Sequence, residues 1–267
     1  MLGHMTSSIH VDRDGAIATL WLDREAKRNA LDADTMRALA TALDTLAEDS
    51  AVHVIVLRGR GPVFSSGIDH TLLMQVMQDS KRVPFLHLHH QLQDTFHRMS
   101  RIQKPIIAAL HGVAVGMALE LALAADIRVA SADCVLGLPE IAFGIVPDVG
   151  GTTRLVRAVG EARARDLVLT GRLVRARTAH AWGLVHDAVN ADALDDTVRA
   201  RAEAIARHSP VAVGLAKTLC ALSANTDDAT SFRLEGVVQQ TLLAQPDLAT
   251  RFPQALAFIK EQIARAE

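Results

Sequence analysis

Residues 105–125, PIIAALHGVAVGMALELALAA, narrow most sharply what this 267-residue chain can become. The stretch is almost wholly apolar and long enough to span a bilayer, yet it contains His111, Gly112, Gly116 and Glu120. An acidic residue inside a span costs about 2.5–3.5 kcal/mol on insertion scales. Glycines punctuate a chain where it turns. The segment therefore reads as a buried strand after Pro105, a tight loop and a buried helix ending near Ala125, with no membrane as partner. Glu120 then lies in an apolar interior. A lone buried carboxylate is costly, so it needs a partner or a chemical role.

The flanking chain repeats the same grammar. Residues 8–22 alternate around Asp14-Gly15 and predict a β-hairpin. Residues 34–48 carry a helical stripe (Met36, Leu39, Leu43, Leu46) that Asp32 or Asp34 can cap. VHVIVLR (52–58) reads as a buried strand, followed by the glycine-rich loop GRGPVFSSGID. A helix is expected over much of 84–100, strands at 127–130, 134–138 and 184–189, and a long loop over PEIAFGIVPDVGG. Strands alternating with helices predict an α/β body over residues 5–200; the helix-only pattern of 201–267 predicts an oligomerisation region, with a lid module as the alternative. The first residues, MLGHMTSS, lack the apolar run of a signal peptide, and those ahead of Met5 read as a vector-derived leader.

Composition removes several classes of function. Lys+Arg is 28 against Asp+Glu 30, a net charge of −2, which offers no basic surface for nucleic acid or an anionic membrane. Aromatic residues are 3% with no Tyr, so a base-stacking platform is absent. Cys134 and Cys220 form no metal or redox motif and are expected to be buried thiols in a reducing, cytoplasmic setting. His87, His90 and His97 fall near one helical face, but no carboxylate or thiol completes a metal set, so a polar face is expected and no metal. Seven arginines between Arg154 and Arg177 read as a solvated helical face, with a phosphate or subunit contact as the alternative.

Two segments share one design: VIVLRGRGPVFSSGID (54–69) and PIIAALHGVAVGMALE (105–120) each run from a buried strand through small residues toward a helix. Backbone N–H groups at such junctions are unpaired and lie at the positive end of a helix dipole. Two facing loops can aim two N–H groups at one oxygen, an oxyanion hole worth about 2.7–4 kcal/mol per donor. Glu120, Glu140 and Asp148 lie on adjoining segments and together point to acid–base chemistry with raised pKa values.

The motifs RNALD (28–32), VFSSGID (63–69), KPIIAALHGVAVGMALELALAADIRVAS (104–131), PEIAFGIVPDVGGTTRL (139–155) and AWGLV (181–185) occur in order across nearly the whole chain. In this set the sequence resembles the enoyl-CoA hydratase/isomerase family, the crotonases. The resemblance implies a crotonase-like spiral of ββα repeats, followed by C-terminal helices that build a homotrimer or a dimer of trimers. It implies an acyl-CoA substrate and no separate cofactor. Glu120 and Glu140 match the catalytic glutamates, and the oxyanion N–H groups fall on Ser66 and Met117. The family usually has Gly at Met117; a backbone donor tolerates the change. The substrate is expected near Gly67, Ile68, Gly116 and Pro139, with CoA against loops 26–30 and 65–69 (Lys27, Arg28, Ala30, Ser65 and Asp69). Asp148 stands where hydratases usually have Gly, and an acid there resembles dienoyl-CoA isomerases. The resemblance thus implies hydration of an enoyl-CoA thioester, with double-bond migration as the alternative. A non-catalytic or RNA-binding member of the fold, and covalent chemistry on Asp148, are the readings of other classes.

Overall fold

The computed structural model describes residues 8–79 and 85–266; residues 1–7, which include the whole leader expected ahead of Met5, lie outside these. The elements run β1 (Ile9–Asp14), β2 (Ile17–Leu22), α1 (Ala33–Glu48), β3 (Val54–Gly59), α2 (His70–Asp79), α3 (Phe85–Arg101), β4 (Ile106–Leu110), β5 (Val113–Val115) and α4 (Met117–Ala124). They continue with β6 (Ile127–Ser131), β7 (Val135–Gly137), α5 (Gly151–Val159), α6 (Glu161–Thr170), β8 (Val174–Arg175), α7 (Ala176–Ala181), β9 (Asp187–Val189) and α8 (Leu194–Ala206). Three helices complete the chain: α9 (Pro210–Ser223), α10 (Asp228–Leu243) and α11 (Leu248–Ala266).

β1 and β2 pair antiparallel with Asp14 opposite Ile17, as the Asp14-Gly15 turn predicts. From β2 onward the large sheet is parallel, in the order β1-β2-β3-β4-β6-β9. A second, three-stranded sheet has the order β5-β7-β8. β4 and β6 enter the large sheet while the strands that follow them, β5 and β7, enter the small one, and α4 and α5 follow in turn. These two windings therefore each supply a strand to either sheet and then a helix. The VAV strand β5, where the sequence predicts a loop, belongs to this second sheet; a three-residue run between two glycines is too short to show periodicity.

The uninterrupted apolar runs of β3 and β4 follow from burial on both faces, as parallel sheets require. Ile55, Leu57, Ala108 and Leu110 face the main core, while Val54, Val56, Ile107 and Ala109 face Leu194, Val198 and Ala202 of α8. This packing corrects the boundary expected at residue 200. Helix α8 runs to Ala206 on the sheet, and the first compact unit ends at Pro210, with a second from Val211 onward. No helix among the described residues is long and apolar enough to cross a membrane, and 105–125 is strand, turn, strand and helix.

Asp32, not Asp34, caps α1, its side chain accepting from the Thr35 N–H at 2.8 Å. Cys134 is buried as expected, and burial pushes its thiol up to about 12. Cys220 is exposed on α9, contrary to the expectation of two buried thiols.

Candidate active site

A cavity of about 380 Å³ opens in the first unit. Ser66, Gly67 and Ile68 reach it from the loop after β3, Val115, Gly116 and Met117 from the β5–α4 junction, and Glu120 from the first turns of α4. Pro139 and Glu140 come from the chain after β7, and Asp148 and Val149 from the loop before α5. The rest of the wall is largely apolar, built by Leu73 and Met77 of α2, Leu92 of α3, and Phe143, Ile145 and Val146.

The two small-residue loops lie side by side. A Cβ on Gly67 would stand 2.7 Å from the Val115 carbonyl oxygen and 3.5 Å from the Met117 nitrogen, and its φ of +92° is itself left-handed, so no larger residue fits. The donors differ from the expectation in one respect. The Ser66 N–H donates to the Arg28 carbonyl at 3.0 Å, and the Gly67 N–H donates to Ser65 Oγ at 3.1 Å, so neither is available to a ligand. The N–H groups of Ile68 and Met117 donate to no group among the described residues. Ser66 is therefore replaced by Ile68 as the candidate donor on the first loop. Sequence pattern locates the loop but not which of its N–H groups the fold has already used.

Several residues expected at the ligand also hold the loops together. Ser65 is fully buried and donates its hydroxyl to the Asn29 carbonyl at 2.7 Å. The Asn29 side chain donates to the carbonyls of Arg60 and Val63 at 2.8 and 3.0 Å, which ties segment 26–30 to the β3 loop. Asp69 accepts from the Thr71 N–H at 2.9 Å at the start of α2 and pairs with Arg24 at 3.2 Å. Ala30 is buried as well, so neither Asp69 nor Ala30 lines the cavity, while Lys27 and Arg28 are exposed on the adjoining turn.

The three acids converge. Glu120 is 2% exposed, and its Oε1 accepts from the Gly151 N–H at 2.8 Å and the Val149 N–H at 3.2 Å. Burial, with Glu140 and Asp148 adding repulsion, pushes its carboxyl up to about 8 against those two bonds. Burial pushes Glu140 up to about 7, with Asp148 again adding repulsion, and its Oε2 is buried without a hydrogen-bond partner among the described residues. Asp148 is also raised by burial, opposed by His89. Its carboxylate leans toward His89 of α3, with Oδ2 3.7 Å from Nε2. Burial thus raises both carboxyls toward the neutral range, which suits the pair to work as an acid and a base at one cavity.

His89 and Gln93 of α3 were missed by sequence reasoning: both donate to the Asp148 carbonyl, at 2.7 and 2.9 Å. Their i, i+4 spacing is the one signal of them in the sequence, and a histidine-rich helix offers several such pairs. Of those, His90 and His97 are exposed and the side chain of His87 lies outside the described residues. No group of three or more metal-ligating side chains is assembled among the described residues. The arginine run is mainly a solvated face, as expected, with two ion pairs on it, Arg165 on Glu161 and Arg172 on Asp166. Arg154 turns inward and donates to the Val149 carbonyl at 3.0 Å.

The model of the enoyl-CoA hydratase/isomerase family matches residues 12–258. The 2,3-dehydroadipyl-CoA hydratase of Escherichia coli is 36% identical over 211 residues, covering 79% of this chain and 80% of that protein. The short-chain-enoyl-CoA hydratase of Clostridium acetobutylicum is 34% identical over 212 residues, with 79% and 80% covered. Among solved structures, the enoyl-CoA hydratase of Bacillus anthracis superposes with a TM-score of 0.87 at 30% identity, over 95% of this chain and 96% of that one. A Thermobifida fusca protein solved with acetoacetyl-CoA gives 0.81 at 31% identity, over 89% and 95%. The spiral of two sheets is thus the crotonase fold, and the chain belongs to the enoyl-CoA hydratase/isomerase family.

Proposed function

We propose that this protein adds water across the 2,3 double bond of an enoyl-CoA thioester. The observation that carries the reading is the placement of Glu120 and Glu140, both raised by burial, at a cavity that also presents the unengaged N–H groups of Ile68 and Met117. The thioester oxygen accepts from the two N–H groups. Water oxygen bonds to C3 as its proton passes to the ionised carboxylate, and the double-bond electrons move onto the thioester as an enolate. The protonated carboxyl then gives its proton to C2, so the pair ends with one proton, as it began. Donors aimed at the enolate oxygen each contribute about 2.7–4 kcal/mol, and each acid–base group about 10²–10⁴-fold.

The acyl chain lies against the apolar wall of Leu73, Met77, Leu92 and Val146, and CoA passes the exposed Lys27 and Arg28. The family's hydratases and the acetoacetyl-CoA complex support this substrate class. The second unit exposes Phe232, Val237, Phe252, Leu256 and Ile263 in the single chain, which supports assembly as a homotrimer or a dimer of trimers. Asp148 favours double-bond migration as a second reading, because a third raised carboxyl at the cavity is a further proton carrier. A panel of 2-enoyl-, 3-enoyl- and dienoyl-CoA esters, followed by mass for the gain of one water, tests the proposal. Hydration of the 2-enoyl esters supports it, and isomerisation without water gain overturns it.

A further inference from the structure

One peptide unit stands between helix α3 and the carboxylate of Glu120. In a trans peptide the C=O of one residue and the N–H of the next lie in one plane and point to opposite sides. The unit joining Asp148 to Val149 uses both ends. Its N–H donates to Glu120 Oε1 at 3.2 Å, and its C=O accepts from His89 Nε2 at 2.7 Å and from Gln93 Nε2 at 2.9 Å. A carbonyl only accepts, so the His89 ring carries its proton on Nε2. His89 and Gln93 are one turn apart on α3 and grip the same oxygen. Neither lines the cavity. The gripped unit belongs to an irregular loop, between Pro147 and Gly150, that has no ladder of its own to fix its plane.

We propose that His89 and Gln93 are positioning residues: by holding the Asp148 carbonyl they fix the peptide plane whose N–H orients Glu120 and stabilises its ionised form. Hydrogen bonds in series polarise one another, so two donors on the carbonyl also strengthen the N–H at the far end. Glu140, Asp148 and Arg154 are the other charged groups facing Glu120, and His89 also faces the Asp148 carboxylate. Losing the Val149 N–H removes a bond to the charged form, which raises the proton affinity of Glu120.

The inference rests on the hydration reading for its kinetics, but Glu120 can be titrated without turnover. Gln93→Met and His89→Leu each remove a donor; His89→Gln keeps one, because a glutamine amide nitrogen reaches the place of Nε2. The Glu120 carboxyl is followed by ¹³C NMR of labelled glutamate, assigned with Glu120→Gln. Gln93→Met and His89→Leu are expected to move its titration upward by about one pH unit. They should also lower kcat for a short 2-enoyl-CoA about tenfold, with KM within about twofold, while His89→Gln restores both. An unmoved Glu120 titration in folded Gln93→Met and His89→Leu overturns the inference, as does a loss confined to KM. Absence of hydration by the wild type would overturn the functional reading alone, because the NMR titration is read in the resting protein.

Discussion

Replacing Gly151 by alanine sets a methyl group against the carboxylate of Glu120. The added Cβ would stand 2.3 Å from Oε1, 2.5 Å from Cγ and 2.8 Å from Cδ of Glu120, all below any normal contact. Gly151 opens helix α5 and is itself buried, so its backbone is held and the carboxylate must give way. When it does, it leaves the N–H groups of Gly151 and Val149, 2.8 and 3.2 Å from Oε1 in the native arrangement. Each buried N–H without an acceptor costs about 1–3 kcal/mol, and the overpacking about 1–3 kcal/mol more. Together these cost at least about 3 kcal/mol, which in a 267-residue chain is a fall in Tm of about 6 °C or more. The larger effect is on rate. A displaced acid–base group forfeits its contribution, so kcat for enoyl-CoA hydration should fall about 10²-fold or more. KM should stay within about threefold, because the Ile68 and Met117 donors and the 26–30 loop are untouched. Steady-state hydration kinetics beside a thermal melt read all three quantities. A folded Gly151→Ala enzyme with kcat within threefold of wild type would refute the placement of Glu120 in the chemistry.

Glu120→Gln and Glu140→Gln should each lower kcat by about 10²–10⁴-fold in the same assay, since each keeps shape and removes a proton carrier. Asp148→Asn removes a charge that raises both glutamates, so the acidic limb of the kcat/KM profile should move to lower pH; an unmoved limb would remove Asp148 from the coupling. Stability should fall as pH rises. Glu120 at about 8 and Glu140 at about 7 are both above the 4.5 of a free glutamate, so between these values the folded state binds more protons than the unfolded state. Their contribution is complete below about 4.5 and is lost through pH 7–8. A wild-type Tm that declines from pH 5 to 8.5 more steeply than that of Glu120→Gln checks this, and parallel curves would contradict it.

Much of this organisation is legible in the residues. The Asp14-Gly15 turn, the α1 stripe and the doubly buried runs of β3 and β4 carry local signals strong enough to read directly. Glu120 announced itself as a carboxylate amid alanine and leucine, and the structure supplies the partners it required. What sequence could not reveal is who spends which hydrogen bond. The Ser66 N–H is consumed by Arg28, from a segment far away in sequence, and the free donor passes to Ile68. Asp69 looks like a ligand residue in VFSSGID, yet its carboxylate serves Thr71 and Arg24. That same Asp69 is the start signal of α2, embedded in the loop motif. His89 and Gln93 act across the fold on a carbonyl in another loop, a pairing that only tertiary geometry reveals.

The central claim is that Glu120 and Glu140 split water across an enoyl-CoA double bond. Incubation with crotonyl-CoA in H₂¹⁸O, followed by mass spectrometry of the thioester, tests it most directly. The account predicts a 3-hydroxyacyl-CoA carrying one ¹⁸O in its acyl chain, formed by the wild type and lost from both Glu→Gln variants. Recovery of an isomerised thioester without ¹⁸O, or undiminished labelling by either variant, would contradict it.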